Sequence, residues 1–403
     1  MVVASFAAAY LVGLASWFLP LGIQMVLFPW LVAVVLQMNA FWVGVATFAL
    51  MAPSLLFLPL GGLVADRGNP RRLLVFYHLA YAVPPIALAA VIGAGGLGYA
   101  VLLLYAIAAG AISAFATPTR DALLPTVATG SLPRAVALAT ALQFVGQLAG
   151  IALAWSADAV GAVPLLLAQA VLVLAGIAAV LRVPDPPPHP PRTQRGFWHE
   201  IADGVGEAGR SPAIWPVLLL SFGVGVFYVG PFMAILPLAI RDHYGGGSAE
   251  LSWINLAFWT GTILASMAFA ALFKGATRRG RMVAIAVTLG AIVLVCMSTL
   301  PPLWLFVALC FVWGLGAGVT MTQSHAVVQI EAPATHRARL MALFQLGLSG
   351  GGPIGAVLTG TIASIWGLQA ALLVPAIAMA GLIGFTILRS SVWTMRTVEA
   401  PPA

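Results

Sequence analysis

Side chains able to move a proton, hold a metal or attack a bond are scarce in this chain. Its 403 residues include 11 Asp and Glu, 18 Lys and Arg, six His and two Cys. No H-E-x-x-H pair offers zinc ligation, and no Walker loop offers a phosphate cradle. The chain is therefore expected not to be an enzyme, to hold no metal and to need no cofactor. Cys296 and Cys310 sit inside apolar stretches, where cysteine behaves as a small hydrophobe. Intramembrane charge is the usual mark of ion coupling, yet no Asp, Glu, Lys or Arg lies near the middle of a long apolar stretch. His325, His78 and the boundary carboxylate Asp158 remain as proton-coupling candidates, since histidine titrates near neutrality. The competing reading of each histidine is a hydrogen-bonded packing residue.

The elements that must position these groups follow from composition. Apolar residues make up 62% of the chain, charged residues 7%, and the mean hydropathy is +1.04. A soluble domain carries about 25% charge, so the main solvent is lipid. This excludes a soluble enzyme, a disulfide scaffold, a disordered chain and, despite a pI near 10, a nucleic-acid reader. Polar breaks leave twelve apolar segments, near 6–36, 41–65, 73–94, 99–117, 135–157, 163–182, 213–240, 251–273, 282–300, 303–328, 340–365 and 369–388. Each is long enough to cross about 30 Å of hydrocarbon as a helix. Unbroken apolar runs do not fit barrel strands, which alternate, and a backbone in lipid must bond to itself. The first ten residues hold no Lys or Arg, so a first span is expected there and not a signal peptide.

The breaks alternate in charge. Seventeen of the 18 basic residues fall in the breaks after even-numbered spans or in the tail; Arg241 is the exception. By the positive-inside rule both termini are cytoplasmic, and the basic loops suit anionic headgroups. The expected location is the cell's inner membrane.

The longest break divides the chain into 1–183, a linker 184–211, 212–390 and a tail 391–403. The linker opens with Pro184-Asp185-Pro186-Pro187-Pro188-His189-Pro190-Pro191, a stiff spacer. Phe197, Trp198, Ile201 and Val205 then recur at helical spacing, which reads as a short amphipathic surface helix or as a partly ordered linker. A shift of 207 residues lays Arg71-Arg72 over Arg278-Arg279 and the break at 118–134 over 325–341. Parallel six-span repeats of this kind are a transporter architecture.

The loop after span 2 reads Gly62-Leu63-Val64-Ala65-Asp66-Arg67-Gly68-Asn69-Pro70-Arg71-Arg72. It resembles the signature loop of the major facilitator superfamily, with Val64, Asn69 and Pro70 departing from the pattern. Asn69 is expected to keep the turn by tolerating left-handed backbone. Pro118-Thr119-Arg120-Asp121-Ala122-Leu123-Leu124-Pro125, Glu200-Ile201-Ala202-Asp203-Gly204 and Arg337-Ala338-Arg339-Leu340-Met341-Ala342 are similar to stretches of its enterobactin-exporter and macrolide-efflux branch, which exports siderophores and amphiphilic drugs. The resemblance implies an all-α integral membrane fold of twelve helices in two pseudo-symmetric six-helix bundles. It implies gating by Asp66, Arg67, Arg71, Arg72, Arg120, Arg337 and Arg339, with Asp66 latching the outward-open state against the start of span 11. Superfamily antiporters often carry Gly-Pro in span 5. Here span 5 has Gly146 and Gly150 without proline, while span 11 has Gly350-Gly351-Gly352-Pro353, a flexible or a closely packed region.

In that fold the cavity is lined by spans 1, 4, 7 and 10, helped by 2, 5, 8 and 11. The candidate substrate-binding residues are then Trp17, Gln24, Trp30, Tyr105, Ser113, Gln143 and Gln147 in the first half. In the second they are Phe227, Tyr228, Asn255, Trp259, Trp313, Gln323 and Gln345, with His325 beside them. The set is neutral and aromatic, which suits an amphiphilic small molecule and not a strong anion. The expected function is secondary-active export by alternating access, with protons as the candidate coupled ion, membrane lipids as partners and a monomer as the working unit. The alternatives are an importer or facilitator of a neutral metabolite and, from another class, a non-transporting lipid-binding or sensor protein.

Overall fold

The computed structural model describes residues 2–127, 132–185, 197–272, 277–333 and 336–395. Among them all regular structure is helical. The first half runs α1 (Val2–Pro29, continued by a π-helical turn Trp30–Val35), α2 (Ala40–Arg67), α3 (Pro70–Gly93), α4 (Tyr99–Val127), α5 (Leu132–Ala154), a short α6 (Ala157–Val160) and α7 (Ala162–Val180). After the linker come α8 (Phe197–Arg210), α9 (Ile214–Val224), two π-helical turns (Gly225–Val229 and Pro231–Ile235) and α10 (Leu236–Asp242). The chain ends with α11 (Ser248–Leu272), α12 (Arg279–Ser298), α13 (Leu303–Glu331) and α14 (Arg337–Arg389).

Among the described residues eleven helical stretches are long and apolar enough to cross a membrane. The last holds two crossings. Its 51 residues would run about 77 Å as one helix, against about 30 Å of hydrocarbon. Gly367, at φ 84° and ψ 174°, breaks it. Gly161, between α6 and α7, repeats that conformation at φ 79° and ψ 174°. Both positions need a residue without Cβ. Among the described residues the remaining left-handed ones pair in the same way, Gln37 with Gly245 and Gly95 with Leu300. All six follow odd-numbered crossings and lie 205 to 208 positions from their counterparts.

Contacts divide the chain into two compact units. Unit 1 is Met1–Met38, Ala49–Thr193 and Gly246–Ser252; unit 2 is Asn39–Phe48, Gln194–Gly245 and Trp253–Ala403. Inside unit 1, α1 and α5 meet at glycine, and a Cβ on Gly150 would lie 2.0 Å from the Leu19 carbonyl. Inside unit 2, a Cβ on Gly355 of α14 would lie 2.0 Å from the Val226 carbonyl. Small residues let membrane helices approach backbone to backbone, where dispersion does the work that water exclusion does in soluble proteins.

The linker helix α8 belongs to unit 2. Gly204 lies against Leu343 and Arg339 of α14, and Asp203 pairs with Arg339 at 3.5 Å. Residues 186–196, which include most of the proline run, and the side chains of Phe197, Trp198 and Ile201 lie outside the described residues, as does the tail from 396. Asn69 corrects the expectation made for it. Its φ is −84°, not left-handed, and its side chain accepts from the Arg72 N–H as the N-cap of α3. Pro70 follows at the first helical position, where its missing N–H costs nothing. The two departures from the loop pattern together form a helix start.

Candidate substrate site

Unit 2 contains an aromatic cavity of about 210 Å³. The π-helical turns around Pro231 position one wall. Proline donates no backbone bond, and the wider turns carry Tyr228 and Phe232 on one face. Tyr228 reaches across to donate to the Val287 carbonyl at 2.5 Å. Gly290 makes room for its ring, since a Cβ there would lie 2.6 Å from Tyr228 Cε2. Trp313 stands edge-on to Tyr228 at 5.8 Å, to Phe232 at 5.7 Å and to Phe258 at 5.8 Å between ring centroids. Phe258 also packs on Phe232 at 4.4 Å. Such mutual edge-to-face contacts lock the rings, so the cavity is held open by rigid walls.

Its lining residues carry hydroxyls and, on Trp259 and Trp313, indole N–H groups. Thr320 donates to the Gly316 carbonyl at 2.8 Å and Ser221 to the Val217 carbonyl at 2.8 Å, each within its own helix. Ser324 Oγ is buried, lines the cavity and has no partner among the described residues. A buried hydroxyl without a partner carries a desolvation cost, which a ligand group offering a hydrogen bond relieves. The site can thus hold an aromatic ring by shape and dispersion and orient one polar substituent. It offers no charged group, and among the described residues no cluster of His, Cys, Asp or Glu could hold a metal ion.

In unit 1 several of the polar candidates are tied to neighbouring residues. Tyr81 donates to Gln24 Oε1. Trp17 packs on Tyr81 at 4.8 Å and on His78 at 5.1 Å. Tyr105 OH lies 3.4 Å from Gln169 Oε1, and Gln147 Nε2 lies 3.1 Å from the Met25 sulfur. His78 is buried with Nδ1 2.7 Å from the Leu74 carbonyl, so Nδ1 carries a hydrogen and donates it there. Asp158 accepts from Trp30 Nε1 at 2.8 Å and from the Ser248 N–H at 2.6 Å. Its carboxylate therefore sits at the first turn of α11, where the helix dipole favours negative charge.

Comparison with known proteins decides the family. The family model described as transmembrane secretion effector, a branch of the major facilitator superfamily, matches residues 4–401. The chain belongs to that family. It is 27% identical over 375 residues to the multidrug efflux pump Tap of Mycolicibacterium fortuitum, covering 89% of each chain. It is also 27% identical over 365 residues to Tap of Mycobacterium tuberculosis, covering 87% of this chain and 85% of that one. Among solved structures, a POT family transporter in complex with 5-aminolevulinic acid superposes with a TM-score of 0.75 at 13% identity, over 96% of both chains. The nucleoside transporter NupG superposes with a TM-score of 0.72 at 13% identity, over 96% of this chain and 98% of that one. These two share the fold. The chain is a multi-pass membrane transporter of a small-molecule substrate, and not an enzyme.

Of the binding residues expected from the sequence, the cavity brings together Tyr228, Trp259 and Trp313. Gln323 instead accepts from Arg279 at 3.1 Å. Asn255 is buried away from the cavity lining, Gln345 and His325 are exposed, and Phe227, Ser113 and Gln143 are half-buried. Phe232, Phe258, Thr320 and Ser324 were missed. Two signals point to them: Phe232 lies four residues after Tyr228, and Trp313, Thr320 and Ser324 are seven and four apart, which is one helix face.

Arg71 pairs with Asp185 at 3.1 Å, and Asn69 donates to the same carboxylate at 3.0 Å. The Asn69 bond, followed by the Arg71 charge, holds the Asp185 carboxyl below its ordinary range. Arg120 lies over the Phe18 ring at 4.5 Å, and Arg337 reaches the Ala332 carbonyl at 3.5 Å. Arg67 and Arg72 close α2 and open α3. The Asp66 side chain lies outside the described residues.

Proposed function

We propose that this transporter exports amphiphilic, drug-like small molecules that carry an aromatic ring. The observation behind this reading is the neutral aromatic cavity of about 210 Å³ with one hydroxyl lacking a partner. A cavity of about 150 Å³ is enough for benzene, so this one suits a substituted or fused ring while the rest of the molecule lies outside. The multidrug efflux pumps among its relatives support the direction and the breadth of substrate. Its wall carries no charge, which disfavours a strongly anionic cargo. Proton coupling then falls to groups outside the cavity, namely Asp158, His78 and His325, or to a titrating substrate. In this reading the working unit is a monomer in the inner membrane, and the charge asymmetry of its loops supports cytoplasmic termini.

The test is flux in proteoliposomes. Purified protein is reconstituted with ethidium as probe, and a pH gradient is imposed by dilution. Proton-driven export predicts dye movement that follows the gradient and stops with a protonophore. Equal flux without a gradient favours the facilitator reading. No flux for any aromatic amphiphile, together with tight binding of one lipid, overturns transport as the activity of this chain.

A further inference from the structure

The outer face of unit 2 carries a second hollow, an apolar groove of about 520 Å³ between α11, α12 and α13. Leu264 and Ala268 of α11, Ile285 and Leu289 of α12 and Val319 of α13 form its banks. Leu264 is 51% exposed and Ile285 is 52% exposed. All three helices are long and apolar enough to cross the membrane, so this face meets lipid. Phe269 and Met282, which also line the groove, lie three residues from the adjoining ends of α11 and α12. The groove therefore starts about one helical turn inside the polar boundary and runs toward the bilayer centre.

Two of its residues are shared. Ala286 and Gly316 line both the groove and the aromatic cavity. Where the two hollows adjoin, the residues they share are an alanine and a glycine. A Cβ on Gly316 would lie 3.0 Å from the Ala286 carbonyl, so any side chain there thickens the partition. No lining residue of the groove carries a charge or a hydrogen-bonding side chain. A water-borne polar solute gains nothing by entering it. A molecule already dissolved in the membrane loses nothing.

We propose that the groove is a lateral entrance, and that aromatic amphiphiles partitioned into the bilayer pass from it into the cavity across the Ala286–Gly316 partition. This rests on the reading of the cavity as the substrate site. The apolar end of the amphiphile enters first, while its polar end stays at headgroup depth near the adjoining ends of α11 and α12.

A doorway changes rates and leaves the end state alone, which gives the test its form. Full-length protein in phosphatidylcholine nanodiscs is mixed with N-phenyl-1-naphthylamine, and energy transfer from tryptophan is followed by stopped flow. Ala317→Phe, which fills the cavity, defines the signal that does not come from the site. Ala268→Phe obstructs the groove without lining the cavity and is expected to slow association and dissociation alike by about tenfold, with equilibrium affinity within about twofold. Gly316→Val is expected to slow association at least as much. Ile285→Phe, on the opposite bank, repeats the first test if Ala268→Phe does not fold. Unchanged rates in the groove variants, or a loss of affinity without slowing, overturn the entrance while leaving the cavity in place. A wild-type signal insensitive to Ala317→Phe overturns the cavity reading and the entrance with it.

Discussion

Filling the cavity from its own wall is the sharpest perturbation available. Ala317 lines the cavity on α13 and is half-buried, so a larger side chain has room to turn inward. Ala317→Phe introduces a ring of roughly benzene size. A cavity of about 150 Å³ is enough for benzene, so the introduced ring claims most of the 210 Å³ present and leaves too little for a second aromatic ring. A ligand denied burial of one ring loses about 1.5–3 kcal/mol. At 1.4 kcal/mol per decade this weakens binding between about tenfold and about a hundredfold. The assay pairs an equilibrium titration of a fluorescent amphiphile on purified protein with dye efflux from cells expressing the variant. Both should fall together, with membrane abundance and melting temperature close to wild type. Wild-type affinity and efflux in a variant that folds normally would refute the assignment of this cavity as the substrate site.

Four further outcomes follow from other parts of the molecule. Gly355→Ala places a Cβ 2.0 Å from the Val226 carbonyl and should cost about 1–3 kcal/mol in overpacking, read as a lower melting temperature; Gly62→Ala, with open space around it, should not. Asp158→Ala removes the acceptor for Trp30 and for the Ser248 N–H, charge-assisted bonds of about 1.5–3 kcal/mol each, and should lower thermal stability more than Asp158→Asn, which keeps one acceptor oxygen. Asn69→Ala removes the cap of α3 at about 1 kcal/mol and lets the Asp185 pKa rise toward its ordinary value. Because the folded-state pKa of Asp185 is depressed, its tie to Asn69 and Arg71 is fully present above the ordinary carboxylate range and is lost as pH falls below it, which amide exchange at the start of α3 would report. Asp66→Asn should cut transport while leaving expression intact, the outcome expected of a gating latch.

How much of the fold is legible in the sequence depends on which physical signals a bilayer imprints there. Crossings are legible because lipid demands long apolar runs, and even the helix pair merged in α14 separates at Gly367. The facing of each helix is not. A soluble helix shows a polar stripe and an apolar one, but in lipid both sides of Phe232 or Phe258 want carbon. Tyr228, Trp259 and Trp313 stand out in the sequence because their rings carry an O–H or N–H; the purely apolar rings beside them carry no such group, and only spacing points to Phe232. Gln24 and Gln147 resemble cavity amides for the same reason, and the structure gives each a partner on a neighbouring residue within unit 1. Asn69 shows a different limit: a family pattern suggested glycine-like backbone, whereas the local Asn-Pro pair specified a helix start.

The six left-handed residues at the turns after odd-numbered crossings bear on where this chain is free to grow. A turn closed by one residue in that conformation has no slack, and an inserted segment must unmake the turn before it can extend. Among the described residues the breaks on the opposite side hold no residue in that conformation. Sequence drift that adds length is therefore channelled to one face, and so are epitope tags, reporter fusions and protease sites placed by an experimenter. Reporters at the tight turns would disturb the helices whose position they were meant to record. Single-residue labels are the suitable probes there, and the exposed Cys296 must be replaced before cysteine serves as one.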